Sequence, residues 1–205
     1  MLQMACARAG AILVNINPAY RSHELRFTLT KSRMKAIFLW HADTRADYEA
    51  ILQDAIPGQS LELQHTVYFD SSLWEELLHA PGEIPSDIQA HEVSNIQYTS
   101  GTTGFPKGVM LTHYNQVNNG VLLARGMCCT EKDRVCIPVP LYQCFGCVIG
   151  NMSALVSGAA MVFPSWTFDP GATLNAVEAE KCTSIYGVPA MFIAGWDCPS
   201  SPALT

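Results

Sequence analysis

Apolar and polar positions fall in blocks along the chain, and the blocks alternate between helical and strand spacing. Residues 1–9 read as a helix that ends at Gly10, where a left-handed cap is cheap. "AILVNI" follows as a continuous apolar run of strand length, and Asn17-Pro18 turns the chain. Ser22 is placed to cap a helix through about Ser32. "KAIFLW" has the look of a buried strand. "TRADYEAILQDA" carries Tyr48, Ile51 and Leu52 at helical spacing. "TVYF" predicts a strand and "LWEELLHA" a short helix. Beyond residues 81–92 come a strand at "IQYTS", a Gly-rich loop and a strand at "GVMLT". Thr112 then caps a helix to about Gly126. "RVCIPVP" predicts a strand, 145–157 a helix and "AAMVFP" a strand. Asp169-Pro170 places an acid at an N-cap and Pro at the first helical position, opening a helix that ends near Cys182, and "SIYG" is a last strand. Strands alternating with helices predict an α/β fold with mostly parallel sheets and flanking helices.

The polar, Pro-bearing stretch 81–92 is the best internal boundary. It divides a first α/β portion, 1–80, from a second, 93–194, and leaves 195–205 as a divergent tail. Composition narrows the function classes. The chain has 205 residues, 49% hydrophobic and 15% charged, with a formal charge of -6. That is an ordinary globular composition, and neither disorder nor a nucleic-acid surface fits it, since there is no Lys/Arg stripe. The apolar run "VIGNMSALVSGAAMVFP" contains Asn151 and Ser153 and has no flanking Lys or Arg, so it reads as a buried helix and strand rather than a membrane span. Eight Cys at irregular spacing, with no secretory signal, predict free thiols in a reducing compartment. Cys144 and Cys147 form a C-x-x-C, but no second pair or His pair stands at zinc spacing, so they read as small buried hydrophobes with no metal.

The chemistry concentrates in "QYTSGTTGFPKGVMLTH". Seven of the ten residues from Thr99 to Gly108 are Gly, Ser or Thr, and one is Lys. Gly101, Gly104 and Gly108 let the backbone turn its N–H groups into one concavity, a nest that binds anions. Thr99, Ser100, Thr102 and Thr103 add hydroxyl donors, Pro106 stiffens the exit, and Lys107 adds a point charge suited to a polyphosphate. The order of residues is not that of a Walker A loop, because Lys107 stands between Pro106 and Gly108 with no hydroxyl after it, and it is not G-x-G-x-x-G. A P-loop NTPase is therefore disfavoured.

"YTSGTTGFPKG" resembles the phosphate-binding signature of the AMP-forming adenylating enzymes: acyl-CoA synthetases, luciferases and peptide-synthetase adenylation domains. "AGAILVNINPAYRSHELRFTLTKS", "NIQYTSGTTGFPKGVMLTHYNQVNN", "PVPLYQCFG" and "IYGVPAMFIA" extend the likeness to the medium-chain branch of the acyl-CoA synthetases, over roughly residues 1–194. The resemblance implies an incomplete N-terminal domain of the adenylate-forming fold. It also implies a two-step reaction, in which ATP-dependent adenylation of a carboxylic acid is followed by thioester formation with coenzyme A. ATP, Mg²⁺ and coenzyme A are the implied cofactors, and a small-molecule carboxylic acid, with no nucleic acid, is the implied partner. The implied compartment is intracellular, mitochondrial or cytoplasmic, and oligomeric state carries no signal. By position, Thr99, Ser100, Gly101, Thr102, Thr103, Gly104, Phe105, Pro106, Lys107 and Gly108 hold the β- and γ-phosphates. Tyr142, Gln143, Phe145 and Gly146 line the acyl and adenylate pocket.

The sequence departs from the family in places. Gln143 stands where the family usually has His, and it cannot titrate. A "Y-G-x-T-E" segment, the ribose-binding Asp, the hinge and the small C-terminal domain with its catalytic Lys are missing. Tyr186-Gly187 is followed by Val-Pro, and the Lys residues after Lys107 are Lys132 and Lys181. After "MFIA", Gly195, Pro199 and Pro202 break the helix pattern. Met1 falls inside a helix that in the family follows a longer segment. The expectation is thus a truncated form, prone to aggregate when expressed alone, with no catalytic residue assigned. The alternative is a catalytically silent nucleotide-binding or interaction fragment. His23, His41, His65, His79, His91 and His113 read as surface or structural residues.

Overall fold

The computed structural model describes residues 1–56, 62–82, 84–85, 87–99 and 106–198. The chain divides into two compact units, one of Met1–Gly10 with Ile16–Asp87, the other of Ala11–Asn15 with the chain from Ile88 on.

In the first unit, α1 (Leu2–Ala9) ends on Gly10, whose φ of 69 gives the left-handed cap expected there. Helix α2 (Ser22–Ser32) begins one residue earlier than expected, with Arg21 rather than Ser22 at its N-cap. The Glu24 carboxylate reaches back to accept from the Arg21 amide at 3.1 Å, the reciprocal half of a capping box that places Arg21 at the N-cap. Strands β2 (Ala36–Leu39) and β3 (His65–Tyr68) pair in parallel. Helix α3 (Tyr48–Ala55) is capped by Asp47 through the Ala50 amide at 2.8 Å, and α4 (Ser72–His79) by Ser71 through that of Trp74. Leu25, Leu29, Ile37, Leu52 and Ala55 close into one buried cluster, joining faces of α2, β2 and α3. The Arg26 guanidinium donates to the Ala55 carbonyl at 2.9 Å, occupying an acceptor at the end of α3.

In the second unit, β1 (Leu13–Asn15) runs parallel to β4 (Val93–Thr99), and β4 runs antiparallel to β5 (Lys107–Thr112). Helix α5 (His113–Gly126) follows, its N-cap Thr112 accepting from the Asn115 amide at 3.1 Å, as the sequence predicts. A second sheet has order β7-β6-β8, all parallel. Strand β6 (Arg134–Cys136) is shorter than "RVCIPVP" predicts. Pro138 and Pro140 carry no N–H and cannot extend a ladder. The helix expected over 145–157 divides into a π-helical turn, Phe145–Gly150, and α6, Asn151–Ser157. Strand β7 spans Ala160–Val162, α7 Pro170–Ala179, β8 Ser184–Ile185 and α8 Pro189–Trp196. Asp169 caps α7 through the Ala172 amide at 2.6 Å. Gly195 does not break α8, which passes through it to Trp196; a glycine in the last turn costs only about 1 kcal/mol. Pro199 and Pro202 lie outside the described residues. Val135, Ile137, Val139, Ala154, Ala159 and Tyr186 form the buried cluster of this unit. Among the described residues no helix is long and apolar enough to cross a membrane.

Candidate functional site

Two of the expected phosphate-binding residues face each other across the end of a hairpin. Thr99 closes β4, Lys107 opens β5, and the antiparallel register pairs them directly. Both are exposed, as is Gly108, and Pro106 is half-buried. A Cβ at Gly108 would stand 3.2 Å from Ile96 Cγ2 and 3.3 Å from Tyr98 Cζ, so the missing side chain lets these neighbours close over the strand. Among the described residues no carboxylate makes an ion pair with Lys107, which leaves its ammonium turned to solvent at the mouth of the hairpin. Ser100, Gly101, Thr102, Thr103, Gly104 and Phe105, where the nest of amides is expected, lie outside the described residues.

The second expected group sits after β6. Residues 141–143 form a turn, Tyr142 is half-buried and Gln143 is exposed. The Gln143 carbonyl accepts from the amides of Gly146 at 3.1 Å and Cys147 at 3.0 Å, tying the turn to the π-helical segment behind it. Gly146 is buried, and a Cβ there would collide with the Pro140 carbonyl oxygen and come within 3.0 Å of Leu141 Cα. The Phe145 ring lies 6.3 Å from that of Tyr186, whose hydroxyl meets Ser153 Oγ at 2.8 Å.

The structure joins these two groups through side chains that the sequence reading passed over. Residues 95, 97 and 99 share one face of β4. Asn95 Nδ2 donates to the Leu13 carbonyl at 3.0 Å and to Asn15 Oδ1 at 2.7 Å. Asn15 Nδ2 in turn donates to the Leu141 carbonyl at 2.9 Å. One register step along, the Gln97 amide contacts Cys147 Sγ. Asn95 and Gln97 are nearly sealed from solvent, at 1% and 2% exposure, and Asn95 Oδ1 accepts no hydrogen bond among the described residues. The available signal was the polar run at alternate positions of an otherwise strand-like segment. A buried strand face should be apolar unless its polar groups are paired.

Burial sets the thiol chemistry. It pushes the Cys147 thiol up to about 11 and the Cys136 thiol up to about 12; Cys144, expected to be buried with Cys147, is instead exposed, and partial desolvation still raises its thiol. Protonated thiols are weak nucleophiles and weak metal ligands.

An apolar cavity of about 190 Å³ lies within the first unit, walled by Ile16, Leu25, Ile37, Trp40 and Phe69. Asp43 and Arg45 stand in its lining. The Asp43 carboxylate accepts from Arg45 Nε at 2.8 Å and the Tyr48 hydroxyl at 2.9 Å, and the guanidinium holds it well below the usual carboxylate range. None of the expected site residues lines this cavity.

Comparison with known proteins bears on these features together. The AMP-binding enzyme family matches residues 1–202. YngI of Bacillus subtilis, whose name reads acyl-CoA synthetase, is 40% identical over 219 residues, covering 94% of this chain and 40% of that protein. The mitochondrial medium-chain acyl-CoA ligase ACSF2 of Danio rerio is 36% identical over 220 residues, covering 94% of this chain and 36% of its own length. Among solved structures, ATP-bound MatB from Rhodopseudomonas palustris superposes with a TM-score of 0.81 at 28% identity, over 97% of this chain and 38% of that one. The chain thus spans about 40% of the length of the curated relatives it matches. The likeness carries the fold of the N-terminal domain of adenylate-forming enzymes, in α/β layers of mostly parallel sheet.

Proposed function

This chain belongs to the AMP-binding enzyme family, and we propose that residues 99–108 hold the β- and γ-phosphates of ATP in an acyl-CoA ligase reaction. The single observation that carries the reading is the exposed Lys107 ammonium, set opposite Thr99 at the hairpin end and engaged by no carboxylate among the described residues. A cation so placed has no carboxylate partner to give up among the described residues when a polyphosphate arrives, and charge-assisted bonds to it are among the stronger ones available. The adjoining Thr99 hydroxyl and the small residues after it supply donors to the same oxygens.

In this reading the oxygen of a carboxylic acid attacks the α-phosphorus of ATP, forming acyl-AMP and releasing pyrophosphate. A coenzyme A thiolate then attacks the acyl carbonyl and AMP leaves. The contribution of Thr99 and Lys107 is positioning and charge neutralisation. Tyr142, Gln143, Phe145 and Gly146 form the wall met by the acyl group and the adenylate, with Gln143 offering an amide hydrogen bond and no titratable group. Among the described residues no group of three His, Cys, Asp or Glu side chains is placed to hold an ion, so no protein ligand is assigned to Mg²⁺. The ACSF2 likeness supports a medium-chain acid and a mitochondrial setting.

Titration of the 205-residue chain with Mg-ATP tests the phosphate site. Lys107→Met should weaken binding about tenfold or more, the scale of a lost charge-assisted contact, with an unchanged thermal midpoint. Equal affinity in the two proteins overturns the assignment. Pyrophosphate exchange into ATP, stimulated more by octanoate than by acetate, supports the medium-chain reaction. Nucleotide binding without exchange supports a silent nucleotide-binding chain instead.

A further inference from the structure

We infer that Asn15, Asn95 and Gln97 are positioning residues that hold the Gln143 turn in register with the strand that delivers Thr99. The inference rests on the phosphate and acyl assignments above and adds residues that neither includes. Its basis is an unbroken chain of amides. Asn95 reaches Asn15, Asn15 reaches the Leu141 carbonyl, and both donors are within 3.0 Å of their acceptors. The direction of the chain is determined by its ends. Asn95 Nδ2 faces two acceptors, the Leu13 carbonyl and Asn15 Oδ1, so the Asn15 nitrogen must point at Leu141.

The anchor point is well chosen. Leu141 precedes Tyr142 and Gln143, and its peptide is held from two sides. Asn15 grips the carbonyl, and Gly146 leaves no room for a side chain between the π-helical turn and the Pro140–Leu141 backbone. Gln97 makes the second tie, to Cys147 within that turn. Parallel pairing puts Asn15 directly opposite Gln97, so the two ties leave the sheet from one register step. Two residues further on the same face lies Thr99. A shift of the turn relative to β4 must break one tie or the other, and a buried amide left unpaired costs more than the bond itself is worth. A purely apolar face would pack as well and leave the register free. The polar ladder therefore serves placement rather than cohesion.

Asn15→Asp tests this with minimal change of shape. The carboxylate still accepts from Asn95 but donates nothing to Leu141. Hydrogen exchange on the full chain is the first readout, and it needs no ligand. The amides of Gln143, Gly146 and Cys147 should exchange about tenfold faster, the scale of one lost hydrogen bond, while those of β6 keep their rates. No change, or equal loosening throughout the second unit, overturns the inference. Asn15→Ser, which keeps a short donor, should restore part of the protection. Ligand binding is the second readout. A non-hydrolysable acyl-sulfamoyl adenylate should lose about tenfold in affinity, with Mg-ATP changed less than twofold. Equal loss of both ligands marks a general structural role and overturns the inference. If the unmodified chain binds neither ligand, the phosphate assignment falls and the exchange pattern alone decides the ladder.

Discussion

Cys136 and Cys147 show how far a single residue's chemistry depends on its surroundings. Both belong to a chain of eight cysteines, Cys147 within the C-x-x-C and Cys136 with no near partner in sequence. Burial first, with a neighbouring thiol second, lifts Cys136 to about 12, and burial lifts Cys147 to about 11 against the opposing Gln97 hydrogen bond, so at pH 8 both stay protonated. Cys128 is exposed. Iodoacetamide at pH 8, followed by peptide mass spectrometry, should label Cys128 first and leave Cys136 and Cys147 unmodified until urea is added. Rapid labelling of Cys147 in the folded chain would contradict the packing described for it. Asn15 teaches the same lesson from the polar side. It sits inside "AILVNI", which reads as an apolar strand, and nothing local says that its amide reaches a carbonyl 126 residues away.

Among the elements, the Thr112 and Asp169 caps were legible, whereas the Arg21 cap of α2 and the π-helical turn were not. Thr112 and Asp169 each act on an amide three residues on, a local geometry that any Thr or Asp before a helix can adopt. The segment 145–157 has the apolar content of one buried helix, and no residue within it demands a wider turn. The wider turn appears where a Cβ at Gly146 would collide with the Pro140 carbonyl and one at Gly150 would stand 2.9 Å from Ile137 Cγ2, close approaches that only the folded chain creates. Gly146→Ala should therefore cost about 1–3 kcal/mol, the range for forcing an extra methyl into a packed site, read as a lower urea midpoint. Gly126, with nothing within 4 Å of its ideal Cβ, provides the contrast. Gly126→Ala should be neutral or gain up to about 1 kcal/mol from helix propensity.

At the scale of the whole molecule, each compact unit carries its own buried cluster. Leu29 and Ile137, each 2% exposed, sit in different clusters. Leu29→Ala should destabilise by about 2–5 kcal/mol and speed amide exchange first in α2, α3 and β2. Ile137→Ala should act on the same scale, with its first effect in β6 and β7. Reversal of those patterns would show that the clusters are assigned to the wrong units. The family signature spans only the hairpin from Thr99 to Gly108, yet the family matches residues 1–202.

Local periodicity and the Gly10, Thr112 and Asp169 caps make most helices and strands readable from the chain alone, though not the length of β6 or the division of 145–157. The sequence also carries the order of Gly, Thr and Lys on which the proposed phosphate site rests. The pairing of Lys107 with Thr99, the π turn after Gln143, and the ties from half-buried Asn15 and buried Asn95 and Gln97 to the 141–147 segment arise only in the folded chain. Register and long-range hydrogen bonds depend on which strands become neighbours. No pattern within one segment encodes that choice.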